Sequence, residues 1–228
     1  MNKKFIIFVG IIILALIVVT IIIPQKEPKE KLLGIKYDIK GNETELKYDK
    51  ENPVVAMYIE NYGSIVIELY PNVAPNTVNN FISLVKSGFY DNNTMHRLMP
   101  GFVLQGGDPD GIGSGGPGYT IDGEFTSNNF ENNLSHTKWV VSMARASGDP
   151  NSAGSQFFIC LDDATSLDGD YASFGKVIDG YDVIENIVEN EIIDDSSSGK
   201  LKNNLVIKKA LIDLQGKEIG RASCRERV

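Results

Sequence analysis

The chain has 228 residues, 42% hydrophobic and 23% charged, which fits one ordinary globular domain with extra segments and argues against a low-complexity or disordered polymer. Its 22 Lys and Arg stand against 30 Asp and Glu, a net charge of -8, so broad electrostatic attraction to nucleic acid or anionic lipid is not expected. Two cysteines, Cys160 and Cys224, exclude a disulfide scaffold and a multi-cysteine zinc site, and two histidines cannot complete a ligand set without carboxylates, so neither metal nor cofactor is expected.

Residues 5–23 are an uncharged apolar run of 19 residues. As a helix rising about 1.5 Å per residue, such a run crosses the roughly 30 Å core of a bilayer. Its isoleucines and valines are poor helix formers in water, but in lipid the backbone must bond to itself. Lys3 and Lys4 precede the run, so the positive-inside rule leaves residues 1–4 in the cytoplasm and sends the rest across the membrane. A cleaved signal peptide is the rival reading. The run is long for one, and Val19-Thr20-Ile21-Ile22-Ile23 puts bulky residues where a peptidase needs small ones, which favours an uncleaved single-pass anchor at the cell membrane. Residues 24–52 then read as a stalk that opens with Lys26, Glu27, Pro28, Lys29, Glu30 and Lys31. Within it, residues 32–49 are either a short hairpin on the domain edge or more linker.

From Pro53 the pattern turns to β. Val54, Val55, Ala56 and Tyr58, a turn around Asn61-Tyr62-Gly63, and Ile65, Ile67 and Leu69 alternating with Val66, Glu68 and Tyr70 predict a hairpin with one buried face. Further strands are predicted at 102–105, 139–144, 156–161, 171–178 and 205–212. Val78, Phe81, Ile82 and Val85 after Pro75 have helical spacing and meet a stop at Gly88; Ile184, Ile187 and Val188 repeat it after Gly180. Many strands with two isolated helices suggest a barrel with helical caps. The domain is bounded at 53–217. Residues 218–228, ending Arg221-Ala222-Ser223-Cys224-Arg225-Glu226-Arg227-Val228, look like a translated sequencing adapter and are set apart from the fold.

Several motifs fail on inspection. Asp108-Pro109-Asp110-Gly111 invites a calcium loop, but EF-hand spacing would place Ile112 and Tyr119 at ligand positions. Gly111, Gly113, Gly115, Gly116 and Gly118 lack the Gly-Lys-Ser/Thr and the helix of a phosphate cradle and read as a flexible surface loop. Ser142, Ser152 and Ser155 sit in no Gly-x-Ser-x-Gly elbow, which makes a hydrolase the weakest enzyme reading. Cys160, inside an apolar run, reads as a buried small hydrophobe.

What remains is Met95-His96-Arg97-Leu98-Met99-Pro100-Gly101-Phe102-Val103-Leu104-Gln105-Gly106-Gly107-Asp108, then Ser142-Met143-Ala144-Arg145, then Asn151-Ser152-Ala153-Gly154-Ser155-Gln156-Phe157-Phe158-Ile159, then Leu167-Asp168-Gly169-Asp170-Tyr171-Ala172-Ser173-Phe174-Gly175-Lys176-Val177. In this order and spacing the four blocks resemble the cyclophilin family of peptidyl-prolyl cis/trans isomerases, over about residues 53–214. The resemblance implies a mainly β fold, a closed eight-stranded antiparallel barrel capped by two α-helices, here preceded by the transmembrane helix. It implies a catalytic part for Arg97 and Gln105. Substrate binding falls to Phe102, Val103, Ala144, Arg145, Gln156, Phe158, Leu167 and Tyr171. Many members have Asn in place of Arg145, Met in place of Val103 and His in place of Tyr171, the last two departures resembling bacterial relatives; Ser166 stands where cyclosporin-sensitive members have Trp.

The expected partners are proline-containing segments of exported proteins, with the isomerase domain on the extracytoplasmic side, and the chain is expected to act as a monomer. A non-catalytic proline-binding module tethered as an assembly or adhesion factor is the alternative. His96, beside Arg97 on a strand, is expected to point to the other face as a hydrogen-bonded structural residue, and His136 and Trp139 also receive structural roles.

Overall fold

The computed structural model describes residues 35–37, 40–41, 43–45, 51–216 and 224–226. The predicted anchor at 5–23 and the charged opening of the stalk lie outside the described residues. Among the described residues no helix is long and apolar enough to cross a membrane. Of the two readings of 32–49 the hairpin is the one seen: β1 (Ile35–Tyr37) pairs antiparallel with β2 (Glu43–Glu45).

Alternating apolar residues build β3 (Val54–Ile59) and β4 (Gly63–Leu69), paired antiparallel from Val54 opposite Glu68 to Ile59 opposite Gly63. The single buried face predicted for this hairpin is corrected to two. Val55, Met57, Ile59, Ile65 and Ile67 join the main core, while Val54, Ala56 and Val66 form a second cluster with Ile178 on the opposite side. Tyr58 shares that second side by strand alternation, and the turn of the β1–β2 hairpin comes so near it that a Cβ on Gly41 would lie 3.1 Å from its hydroxyl.

The following segment supplies α1 (Pro75–Lys86), with Pro75 at its first turn, where no intrahelical N–H is needed. Its own sequence offers no acidic cap. Glu124, buried in a distant loop, accepts hydrogen bonds from the Asn76 and Thr77 amides at 2.9 and 2.7 Å and satisfies the helix start from outside. The apolar stripe of Val78, Phe81, Ile82 and Val85 is buried, and the Phe81 ring meets Tyr90, Phe157 and Phe174 within 5.0–5.5 Å.

Then come β5 (Asn93–Met99), β6 (Val103–Asp108), β7 (Tyr119–Ile121), β8 (Val140–Met143), β9 (Phe157–Cys160), β10 (Ser173–Asp179), α2 (Tyr181–Asn190), β11 (Ile193–Asp195), β12 (Lys200–Asp213) and β13 (Cys224–Glu226). Gly180 starts α2 at φ 82°, and any Cβ there would strike the Ser64 carbonyl. The main sheet has nine strands in the order β11-β12-β3-β4-β10-β8-β9-β6-β5, and β12 also pairs with β5. That last pairing closes every strand of this sheet but β11 into an eight-stranded antiparallel barrel, accompanied among the described residues by two α-helices, the barrel architecture expected.

Strands β5, β7 and β11 and the start of β12 escaped the periodicity. Residues 93–99 do not alternate, because β5 bulges between Met95 and Arg97 where β6 advances by one residue, from Gly106 to Gln105. The first residues of β12 include Lys200, Lys202, Asn203 and Asn204, a polar composition that reads as loop but here runs antiparallel to β11. β13 lies in the segment set apart from the fold; it pairs with β7 from Cys224 opposite Ile121 to Glu226 opposite Tyr119, a contact any extended backbone can make at a free strand edge.

Candidate active site

One face of the barrel carries a small pocket of about 210 Å³ lined by Arg97, Phe102, Val103, Gln105, Ala144, Arg145, Phe158, Leu167 and Tyr171. All the residues singled out in the sequence line it except Gln156. Its volume lies below the roughly 300–1,000 Å³ of small-molecule sites, which suits one side chain rather than a cofactor. The walls have a cluster of their own, separate from the main core: Val103, Phe158, Cys160 and Ala164, with Phe102, Ala144, Leu167 and Tyr171 packed against them. Phe158 is held on two sides. Tyr171 meets it edge-on at 5.8 Å and the His136 ring stacks on it at 6.0 Å.

Arg97 comes from β5 and is tethered twice. Its Nε donates to the Ser198 carbonyl at 2.8 Å and its Nη1 to Gln105 Oε1 at 3.0 Å, while Nη2 lies against the Met99 sulfur. Gln105 Nε2 donates to Gln156 Oε1 at 3.0 Å, and Gln156 Nε2 to the Gly115 carbonyl at 2.9 Å. The direction of this relay is forced from both ends, because a guanidinium only donates and a carbonyl only accepts, so each amide has one orientation that fits. Burial pulls the Arg97 pKa below its ordinary value, with Tyr171 acting in the opposite sense. A guanidinium nonetheless keeps its charge in a protein.

The far end of the relay rests on Asp108. This fully buried carboxylate accepts from the amides of Asp110, Ile112 and Gly113 at 2.8, 3.2 and 2.6 Å. Burial disfavours its charge, but the backbone donors of Asp110, Gly115, Gly113 and Ile112 outweigh that and hold its pKa below the usual value. Gly115 approaches so closely that a Cβ would lie 1.9 Å from Asp108 Oδ1. The glycine-rich stretch read as a flexible loop is thus an organised one, wrapped on a single buried acid. Neither Asp108 nor Ser198 was identified as part of the site from sequence. Asp108 had a visible signal, an Asx turn onto the amide two residues on; Ser198 had none, since it contributes only a carbonyl.

Arg145 is positioned by its own contacts: Nε to the Asp170 carbonyl at 2.9 Å, with the guanidinium 4.7 Å above the Tyr171 ring. Ala144 donates its amide to the Gln156 carbonyl at 2.9 Å, just beyond the end of β8. Cys160 is buried, and burial together with Asp168 and Asp163 pushes its thiol up to about 12, consistent with a small hydrophobe.

The expectation for His96 is corrected. It is buried, but neither ring nitrogen has a hydrogen-bond partner, and the bulge turns it toward the same side as Arg97 rather than the opposite face. His136 does have a structural place. Its Nδ1 meets Asp168 Oδ1 at 2.7 Å and its Nε2 meets Ser142 Oγ at 2.9 Å. That is the bonding order of a hydrolytic triad, but Ser142 is completely buried beneath the pocket wall and has no route to a substrate. Ser152 and Ser155 are occupied with the backbone carbonyls of Asp149 and Gly107.

Comparison with known proteins gives this pocket its context. Residues 54–212 match the family model described as cyclophilin type peptidyl-prolyl cis-trans isomerase/CLD. Peptidyl-prolyl cis-trans isomerase B of Bacillus subtilis is 44% identical over 135 residues, 59% of this chain and 90% of that protein. A peptidyl-prolyl cis-trans isomerase of Helicobacter pylori is 42% identical over 136 residues, 59% of this chain and 80% of that one. A crystal structure of a cyclophilin type peptidyl-prolyl cis-trans isomerase of Cryptosporidium parvum, in the presence of the dipeptide Ala-Pro, superposes with a TM-score of 0.61 at 36% identity, covering 70% of this chain and 98% of that one. With a closed barrel, a side-chain-sized pocket that includes an anchored arginine, and a family match over residues 54–212, the chain belongs to the cyclophilin-type peptidyl-prolyl cis-trans isomerases.

Proposed function

We propose that Arg97 lowers the rotational barrier of an X–Pro bond by donating to the prolyl nitrogen while the ring sits in the 210 Å³ pocket. The amide resists rotation because the nitrogen lone pair is shared with the carbonyl, giving a barrier of roughly 18–20 kcal/mol. In the twisted transition state that nitrogen becomes pyramidal and regains its lone pair. A fixed donor therefore stabilises the twisted state more than either planar one. The observation that carries this reading is the double tether of the guanidinium to Gln105 and Ser198. Held so, the fork needs little reorganisation at the moment of rotation, and the walls of Phe102, Val103 and Phe158 keep water away. Barrier lowering of about 7 kcal/mol, roughly five powers of ten, is within reach of such terms.

Arg97→Ala should lower kcat and kcat/KM by similar large factors with little change in peptide affinity, the signature of a contact made only in the transition state. Arg97→Lys should restore little, since an ammonium cannot reproduce the planar fork. Exchange NMR on a proline peptide, with thermal melts to establish folding, reads both; a folded Arg97→Ala enzyme with near-normal exchange would sink the mechanism.

The clients on this reading are exported proteins. Lys3, Lys4 and the apolar residues 5–23 support a single-pass anchor with the isomerase domain outside. Protease added to intact spheroplasts should then remove the domain, and full protection alongside a cytosolic marker would reverse the topology.

A further inference from the structure

Arg97 and Gln105 border a second cavity. On the flank away from Phe158 they line a space of about 420 Å³ together with His96, Gly111, Ile112, Gly113, Ser198 and Lys200. This cavity plays no part in the mechanism above. Three observations give it a chemistry.

The first is His96. It is only 6% exposed, and both ring nitrogens are buried with no hydrogen-bond partner. A neutral imidazole has one donor and one acceptor, and leaving either unpaired in a protein interior is unfavourable. The β5 bulge re-aims this ring into the cavity, where Nε2 faces Gly113 closely enough that a Cβ there would lie 3.8 Å away.

The second is charge. In a chain of net charge -8, the described residues that line this cavity include Arg97, Lys200 and His96 and no Asp or Glu. Of the acids nearby, Asp110 lies beside Gly115 on the loop, and two others are engaged elsewhere. Asp108 takes the amides of the glycine-rich loop, and Asp195 takes the hydroxyls of Ser197 and Ser198. The third is continuity: Arg97 and Gln105 line both cavities, so the two adjoin across these side chains and one extended peptide can enter both.

We propose that this flank cavity is a subsite for a carboxylate side chain, Asp or Glu, lying close to the isomerised proline in the client segment. The carboxylate pairs with Lys200 and accepts a hydrogen bond from His96, while Ile112, 74% exposed at the mouth, covers the aliphatic part of the same side chain. Arg97 remains tethered and serves both cavities. The proposal rests on the isomerase reading of the neighbouring pocket and adds to it a preference among clients.

The test uses the full chain in detergent and a set of alanine-rich peptides with one proline, with Glu, Gln or Lys placed in turn at each of three positions on either side. Glu should exceed Gln in kcat/KM by roughly threefold to tenfold at one or two positions, with Lys below both. The Glu-to-Gln ratio should shrink toward one at 1 M salt, where the Debye length is about 3 Å. Lys200→Gln, on the surface of β12, should reduce that ratio, as should His96→Phe; using a ratio within each variant removes any general loss of activity. Equal rates for Glu, Gln and Lys at every position would overturn the subsite. Failure to turn over any peptide, the all-alanine one included, would instead defeat the isomerase mechanism. In that event the subsite is judged by the His96 ring ¹⁵N shifts, which must move on titration with a Glu peptide and not with its Gln counterpart.

Discussion

The relay behind Arg97 makes a quantitative demand on Gln105. Replacing it by leucine keeps most of the volume but removes the acceptor for Arg97 Nη1 and the donor for Gln156 Oε1. The guanidinium then keeps its bond from Nε to Ser198 and the weak contact of Nη2 with the Met99 sulfur, and Nη1 is left without its acceptor. A hydrogen bond to a charged group is worth about 1.5–3 kcal/mol, and at 1.36 kcal/mol per factor of ten its full loss from the transition state slows rotation about 10- to 150-fold. The planar ground state does not use the prolyl nitrogen as an acceptor, so KM should change little. Exchange NMR at saturating and sub-saturating peptide separates kcat from KM, and the Arg97 Nε resonance reports whether the fork has become mobile. A Gln105→Leu protein that is folded, with kcat within twofold of the parent, would show that the contacts with Ser198 and Met99 position the arginine and that the relay is ornamental to catalysis.

Other outcomes follow from the same contacts. Phe158→Ala should weaken peptide binding and lower stability by about 3 kcal/mol or more, measured by titration and by denaturant melts, because the ring is 4% exposed and supports both Tyr171 and His136. Acid should destabilise the fold in two stages. His96 and His136 both have pKa values lowered, by burial foremost, so the unfolded chain binds more protons below its ordinary His pKa of about 6.5. Stability should therefore fall as pH drops beneath that value, by up to about 1.4 kcal/mol per pH unit for each. Asp108 and Asp168, whose pKa values are lowered, add a second loss below about pH 4. Urea melts from pH 8 to 3 check the order, and a stability that is flat between pH 7 and 5 would contradict the buried neutral histidines.

Most of the barrel was legible because β3, β4, β9 and β10 are short runs rich in apolar residues bounded by turns, although β3, β4 and β9 are buried on both faces rather than on alternate positions. β5 was not, and the cause is local. One extra residue at the bulge puts His96 and Arg97 on the same flank, which breaks the period in the sequence and also creates the juxtaposition that the flank cavity depends on. The side chains of the 210 Å³ pocket were indicated by the cyclophilin resemblance that the four blocks carry, and nine of the named side chains do line it. Gln156 lies one step back, reached through Gln105. What the sequence cannot mark is a carbonyl, since every residue has one. The two ends of the Arg97 network, at Ser198 and Gly115, are backbone oxygens brought in by a hairpin turn and by a loop wound on Asp108.

The Ser142–His136–Asp168 chain shows why residue types alone do not decide function. By bonding order it matches a hydrolytic relay, yet only Asp168 reaches solvent: the serine is fully buried and the imidazole is 1% exposed under Phe158. A nucleophile with no path to a carbonyl performs no acyl transfer. What the same contacts do is join the Leu167–Asp168 turn, β8 and the back of the Phe158 ring into one strut behind the proline pocket. The strut holds together when His136 is neutral, donating through Nδ1 to Asp168 and accepting at Nε2 from Ser142. Protonation adds a donor at Nε2 and removes the acceptor that the serine hydroxyl uses. The group that would be the base of a hydrolase is here one whose neutral state keeps an apolar wall in place, and its burial, which lowers its pKa, is the same burial that denies it a substrate.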